Sequence, residues 1–253
     1  MTLLRIFLAV IAFCVAAWTP LAAQSTLTLS QQDVEAAQYW FSNYPGYGES
    51  LYDAPIAFPD GARGFELLSF VDHAMEVGPI QPHDAQSEIR AQYCNSRLVA
   101  IAHATDHTTV LASNKKAIFS VTRFTIERVL RKDGHLKSGD QITTIEFGGT
   151  FRDDKGVLLR VEFKGDTSFA KGKSYLLYLR KVHNATTYFP EAERIEIANG
   201  RLFSKGRLGD TVIPTTIKPG ETFDKYWKAF QDDFHAHGCY EYKDNNYFND
   251  LPN

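Results

Sequence analysis

From Cys94 to Ser204 the apolar residues abandon helical spacing and fall into short extended runs separated by turn residues. Short runs of this kind, bounded by turn residues, read as β-strands. Leu98, Val99 and Ile101 in Arg97–His103 make a first strand, and the polar stretch Thr105–Lys116 after it reads as a loop. Ala117–Leu130 is a long β-rich run in which Phe119 and Val121 share one parity and Phe124 and Ile126 the other. Side chains alternate faces along a strand, so a change of parity means a bulge or burial on both faces. A bulge near Thr122–Arg123 is the expectation. Gln141–Phe147 follows the Lys137-Ser138-Gly139-Asp140 turn, and Gly148-Gly149 and Asp153-Asp154-Lys155-Gly156 bracket a loop carrying Phe151 and Arg152. Val157–Phe163 alternates cleanly, Tyr175–Leu179 is apolar on both parities as a central strand is, and Thr186–Phe189, Ile195–Ile197 and Arg201–Phe203 are shorter strands.

The β region ends in a helix. Phe223, Tyr226/Trp227, Phe230 and Phe234 form an amphipathic stripe expected to pack onto the strands, Gly238 is placed to stop it, and Cys239 follows directly. Upstream, Ser30 with Asp33 three residues later is a capping-box signal, and Val34, Ala37, Trp40/Phe41 and Tyr44 then recur at helical spacing. Phe65, Leu68, Phe70/Val71 and Met75 predict a second helix over Gly64–Val77, and Pro79, Pro82 and the polar run to Gln92 read as a linker. Residues 24–93 are thus expected to be a helical and irregular extension, and 94–253 a β domain with a closing helix and tail.

At the start of the chain, Arg5, the apolar run Ile6–Trp18 and Thr19-Pro20-Leu21-Ala22-Ala23 follow the n-, h- and c-region order of a secretory signal. The apolar run is shorter than the roughly 20 residues a membrane span needs. Cleavage near residue 23 is expected, with a secreted or periplasmic mature chain. Of the 27 Lys and Arg only Arg5 would be lost, leaving 26 against 30 Asp and Glu, a net charge of −4. Nothing in that balance drives phosphate binding by counterion release, so nucleic acid is a poor partner, and no later segment is apolar enough for a membrane span. Loss of Cys14 leaves Cys94 and Cys239, and an even count in an oxidising compartment favours a disulfide over a thiol nucleophile.

The run Cys94-Asn95-Ser96-Arg97-Leu98-Val99-Ala100-Ile101-Ala102-His103-Ala104 resembles the Cys-Asn and first strand of the netrin-like module, best known from the N-terminal domains of tissue inhibitors of metalloproteinases. A long strand ending in Val129-Leu130-Arg131-Lys132, the segment Lys171-Gly172-Lys173-Ser174-Tyr175-Leu176-Leu177-Tyr178-Leu179, and the closing helix with Gly238-Cys239 agree with it. The chain is similar to bacterial exported proteins of unknown role that share this module. The resemblance implies an OB-fold-like, five-stranded Greek-key barrel with a C-terminal helix, and a Cys94–Cys239 disulfide. It does not bring the inhibitory chemistry. That chemistry uses a free N-terminal cysteine to chelate the protease zinc, whereas here Cys94 lies far downstream of Gln24, where the mature chain is expected to begin.

No Gly-x-Ser-x-Gly, His-Glu-x-x-His, Walker or dinucleotide glycine pattern occurs, which weakens an enzymatic reading without closing it. His235 and His237 beside Cys239 have the ligand types of a zinc site, but helical positions i and i+2 face apart. His103 and His107 with Asp106 fall at the end of the first strand and in the loop after it. That loop is a place where the fold implied by the resemblance binds ligands, so Asp106, His107, Lys115 and Lys116 are binding candidates, with Phe151 and Arg152 as a second set. The Asn184-Ala185-Thr186 sequon matters only in a glycosylating source. The leading expectation is an exported, non-enzymatic binding module with no cofactor, whose partner is an extracytoplasmic protein or glycan. A metal-dependent enzyme or hydrolase sited near His103–His107 or His235–His237, and a protease inhibitor acting through a loop, are the alternatives.

Overall fold

The computed structural model describes residues 27, 29–41, 50–54, 56–67, 85–163, 168–181, 186–190, 194–205 and 220–239. The expected signal peptide, Asn184 and residues 68–77 of the expected second helix lie outside them. In chain order the elements are α1 (Gln31–Phe41), β1 (Ile56–Ala57), β2 (Arg63–Leu67), α2 (Ala85–Asn95), β3 (Leu98–Leu111), β4 (Ile118–Arg131), β5 (Gln141–Phe147), β6 (Gly149–Arg152), β7 (Leu158–Phe163), β8 (Ser174–Lys181), β9 (Tyr188–Pro190), β10 (Arg194–Ala198), β11 (Arg201–Lys205) and α3 (Phe223–His237). The chain is mainly β with a C-terminal helix.

Seven strands run in the order β11-β10-β8-β3-β4-β5-β9, and β8 also pairs with β9, so β3, β4, β5, β9 and β8 form a ring. All neighbours in the ring are antiparallel except β5 and β9, which run parallel and meet at Thr144↔Tyr188. Period-2 alternation explains how the ring is packed on both sides. Along β8, Tyr175, Leu177 and Leu179 enter one core cluster while Leu176 and Tyr178 enter another. Along β3, Leu98, Ala100, Ala102 and Ala104 join the first of these and Val99 the second. The first takes side chains from all five ring strands, Phe124 and Ile126 of β4, Ile142 of β5 and Tyr188 of β9 among them, with three alanines from β3 leaving room for the large rings. Against the second lies the aromatic stripe of α3, as its spacing predicts.

A second, four-stranded sheet, β1-β2-β7-β6, covers a third cluster containing Phe119, Val121, Ile145, Leu159 and Val161. Here the structure overturns the second helix at its start. Residues 63–67 form β2, parallel to β7 in the register Gly64↔Arg160 and Phe65↔Val161. A Cβ on Gly64 would sit 1.5 Å from the Arg160 carbonyl oxygen, so this close approach of two backbones requires glycine. The linker is also corrected in part, since its second half belongs to α2.

The loop expected over Thr105–Lys116 is largely strand. β3 continues to Leu111, pairing with β4 from Asp106↔Arg123 to Leu111↔Ile118, and only a short turn remains. Thr105, Thr108 and Thr109 are β-branched, and half-burial beside β4 suits them to extended backbone. The expected bulge near Thr122–Arg123 falls on the partner strand instead. The register steps from Ala104↔Phe124 to Asp106↔Arg123, so Thr105 is the extra residue, its hydroxyl donating to the Arg123 carbonyl at 3.2 Å. β4 keeps unbroken register with β5 from Phe119↔Phe147 to Thr125↔Gln141. Its change of parity therefore comes from burial on both faces, with Phe119 and Val121 in one cluster and Phe124 and Ile126 in another. The Phe151–Arg152 loop is also strand, β6, joined to β7 by a turn in which Asp153 accepts from the Lys155 and Val157 amides.

Helix α1 starts at the expected Ser30–Asp33 pair, which makes one arm of a capping box and joins its side chains directly. The Asp33 amide donates to Ser30 Oγ at 3.1 Å, and the Ser30 hydroxyl donates to Asp33 Oδ2 at 2.5 Å. Asp33 then does more than cap. It is 2% exposed, and its carboxylate accepts the amides and hydroxyls of both Thr186 and Thr187 at 2.7–3.0 Å, tying α1 to the segment that enters β9. Burial works against the charge, but the hydrogen bonds from Ser30, Thr186 and Thr187 outweigh it and hold the carboxyl below its ordinary value. A depressed folded-state value gives stability that is complete above the unfolded value of 3.8 and lost as pH falls through the folded one. Asp33→Asn should therefore lower stability at pH 7 by about 2–3 kcal/mol, with the deficit shrinking below about pH 4. Thermal unfolding between pH 3 and 7 checks this, and a deficit independent of pH would contradict it.

Candidate functional site

The expected binding residues do not converge. Asp106 and His107 lie within β3: Asp106 Oδ1 accepts the His107 amide at 3.0 Å and faces Lys171 at 3.6 Å, and His107 Nδ1 is 3.0 Å from the Thr122 hydroxyl. Lys115 and Lys116 lie at the turn between β3 and β4, about 16 Å further along the strand at roughly 3.3 Å per residue. The Lys115 ammonium sits 5.8 Å from the centre of the Tyr52 ring. Phe151 packs partly against the cluster beneath the four-stranded sheet, and Arg152 donates to the Gly156 carbonyl at 2.9 Å. These six are strand and turn residues spread over two sheets, not one site.

The histidine pairs separate as well. His235 and His237 each use Nδ1 on their own helix, donating to the Gln231 and Asp233 carbonyls at 2.7 and 3.0 Å. His103 on β3 belongs to a group that the sequence did not suggest, with Ser174 of β8 and Glu127 of β4. Its Nδ1 is 3.2 Å from Ser174 Oγ, whose hydroxyl donates to Glu127 Oε1 at 2.8 Å. This is not the order of a hydrolytic relay, in which the imidazole takes the serine proton and the carboxylate holds the other ring nitrogen. Here the carboxylate holds the serine proton. Among the described residues, no three or more His, Cys, Asp or Glu side chains are placed to hold a metal ion, and no helix is long and apolar enough to cross a membrane.

The feature that does converge lies outside the ring, where α2, α3 and the end of β4 meet. Cys94 near the end of α2 and Cys239 just beyond α3 are joined by a disulfide across 145 residues. In the chain-entropy treatment a loop of that length contributes about 5 kcal/mol. Arg90 of α2 pairs with Asp233 of α3, their side chains 5% and 11% exposed. Arg131 at the end of β4 donates to the Tyr93 carbonyl and, at 3.2 Å, to the Cys94 carbonyl, with its guanidinium 5.1 Å from the centre of the Tyr93 ring. Glycine at 238 lets the chain leave α3 at φ 64°, its amide donating to the Phe234 carbonyl at 2.7 Å.

Between these elements is a cleft of about 390 Å³ lined by Tyr93, Arg128, Val129, Leu130, Trp227, Phe230, Gln231, Phe234 and His235. Its wall is an aromatic stack along α3. Phe223 and Phe230 lie on Trp227 at 6.0 and 5.0 Å, interplanar angles 14° and 28°, and Phe234 lies on Phe230 at 5.8 Å and 24°. The Tyr93 ring closes the end, 4.9 Å from Phe230 and 5.1 Å from Phe234. Beneath, Tyr178 and Tyr226 share a hydrogen bond at 3.0 Å, and burial holds the Tyr178 phenol well above its ordinary value, with Tyr226 adding to the effect. The sequence shows the stripe on α3 and favours packing over a partner-binding face. The signal it lacked was the outward position of Arg128 and Leu130, which depends on irregularities in the β3–β4 register between Val99 and Ala100 and between Ile101 and Ala102.

Removing Arg90 leaves the largely buried Asp233 without its guanidinium, with His237 alone beside it among the described residues. Arg90→Ala should cost about 3–5 kcal/mol in denaturant unfolding, and a loss under about 1 kcal/mol would show that the α2–α3 clamp does not depend on the pair.

Scans of protein-family models, curated proteins and solved structures find no match to this chain.

Proposed function

We propose that the chain is an exported, non-enzymatic binding module whose ligand site is the cleft between α2, α3 and β4. The observation that carries this reading is the cleft itself, where aromatic and aliphatic side chains of α3 and β4 stand beside Arg128, Gln231 and His235. A concavity of mixed lining, at the lower end of ligand-site volumes, offers both apolar contact and a few polar groups to a ligand. The disulfide and buried ion pair fix the walls before any ligand arrives, which lowers the ordering cost of binding.

The wider assignment to a netrin-like barrel of the OB type belongs to the same proposal. Supporting it are the spatial order β8-β3-β4-β5, in which a later strand returns beside the first of three consecutive ones as in a Greek key, and a cysteine at each end of the β region. Export is supported by the disulfide, which persists in oxidising compartments.

Gln231 is exposed at the cleft, so Gln231→Trp should obstruct it while leaving the buried packing intact. Wild-type and variant protein of equal thermal stability, each used to capture ligands from an extracytoplasmic fraction, should differ in one respect. The wild type should retain a specific species that the variant loses at least tenfold. Equal retention by both would remove the cleft as the site.

A further inference from the structure

The ring faces in the cleft are already occupied. Trp227 is flanked along the helix by Phe223 and Phe230, and Phe230 by Trp227 and Phe234, all in stacked orientation. A sugar-stacking platform presents an open ring face, and Trp227 and Phe230, 9% and 8% exposed, have both faces covered. What such rings leave toward a cleft is their edges, which carry the positive part of the aromatic quadrupole.

The charged groups point the same way. Arg128 is exposed, with its guanidinium 5.5 Å from the centre of the Phe223 ring, and it has no carboxylate partner among the described residues. Among those residues, no acidic side chain lines the cleft. Asp233 is held by Arg90 and His237, and Glu127, the neighbour of Arg128 on β4, accepts from Ser174. A cation without a carboxylate partner beside aromatic and aliphatic side chains is complementary to a carboxylate next to an apolar side chain.

We infer that the cleft binds an acidic peptide segment of another protein, with an aromatic or branched apolar side chain between α3 and Leu130 and a neighbouring carboxylate on Arg128. The inference rests on the binding-module reading and adds the class of partner. A nucleic-acid strand does not fit, because tracking a phosphate backbone takes a row of cations and the cleft has only Arg128 among its lining residues.

The test is fluorescence anisotropy on the full mature chain with two labelled decapeptides, one carrying Phe and Leu anchors flanked by Glu, the other with Lys replacing each Glu. The acidic peptide should bind at least tenfold more tightly than the lysine peptide. Arg128→Glu should reverse that order, and Gln231→Trp should abolish binding of both. Equal affinity for the two peptides, or a preference unmoved by Arg128→Glu in a variant of unchanged thermal stability, overturns the inference. Tighter binding of a neutral oligosaccharide, or of a synthetic peptide of residues 240–253, also overturns it by naming a glycan or this chain's own tail as the occupant. If neither decapeptide binds while Gln231→Trp still loses a captured ligand, the partner class falls and the binding-module reading stands. If capture is also insensitive to Gln231→Trp, both fall.

Discussion

The bond between Cys94 and Cys239 decides where the ends of the β region lie. It brings the end of α2 against the end of α3, so that Tyr93 closes the aromatic row begun at Phe223 and Arg90 meets Asp233 in a nearly dry interface. Arg131 reinforces the same corner from the sheet by holding the Tyr93 and Cys94 carbonyls. Each of these contacts joins segments far apart in sequence and depends on the others for its geometry. A covalent bond across 145 residues removes much of the entropy cost of assembling them.

Strands packed on two faces make the rest possible. β8 and β3 send alternate side chains into the ring and outward beneath α3, so one backbone supports both cores. The ring gives α3 a fixed floor, and the four-stranded sheet with α1 covers the remaining apolar surface of β4 and β5. Asp33 is the polar counterpart of the disulfide at the other end of the chain, a buried carboxylate whose hydrogen bonds fasten a local helix to a distant strand.

What could be read from the residues follows the range of the forces involved. Local patterns were legible: the capping-box signal at Ser30 and Asp33, the alternation of Val157–Phe163, the two-sided apolar run Tyr175–Leu179 and the stripe of α3 all form the elements their spacing predicts. Elements that depend on a distant partner were not. β2 pairs with β7, far along the chain, and the helical period rests on Phe65 with Leu68, Phe70/Val71 and Met75, whereas Phe65 and Leu67 within β2 alternate as a strand does. α2 is short and mostly polar, and is anchored by Arg90, Tyr93 and Cys94 to a helix at the far end of the β region. The outer half of β3 reads as a loop because its threonines, aspartate and histidine are polar, yet pairing with β4 makes it strand. The candidate site shows the same division. Its aromatic half was visible, but the placement of Arg128 and Leu130 depends on register shifts that no local pattern encodes.

The central claim is that a disulfide links the two ends of the β region and sets the walls of the cleft. Thiol labelling of the mature protein, unfolded in denaturant without reductant and followed by peptide mapping, tests it most directly. The account predicts no labelled cysteine and a cross-linked peptide containing Cys94 and Cys239. Two labelled thiols in protein recovered from an oxidising compartment would contradict it.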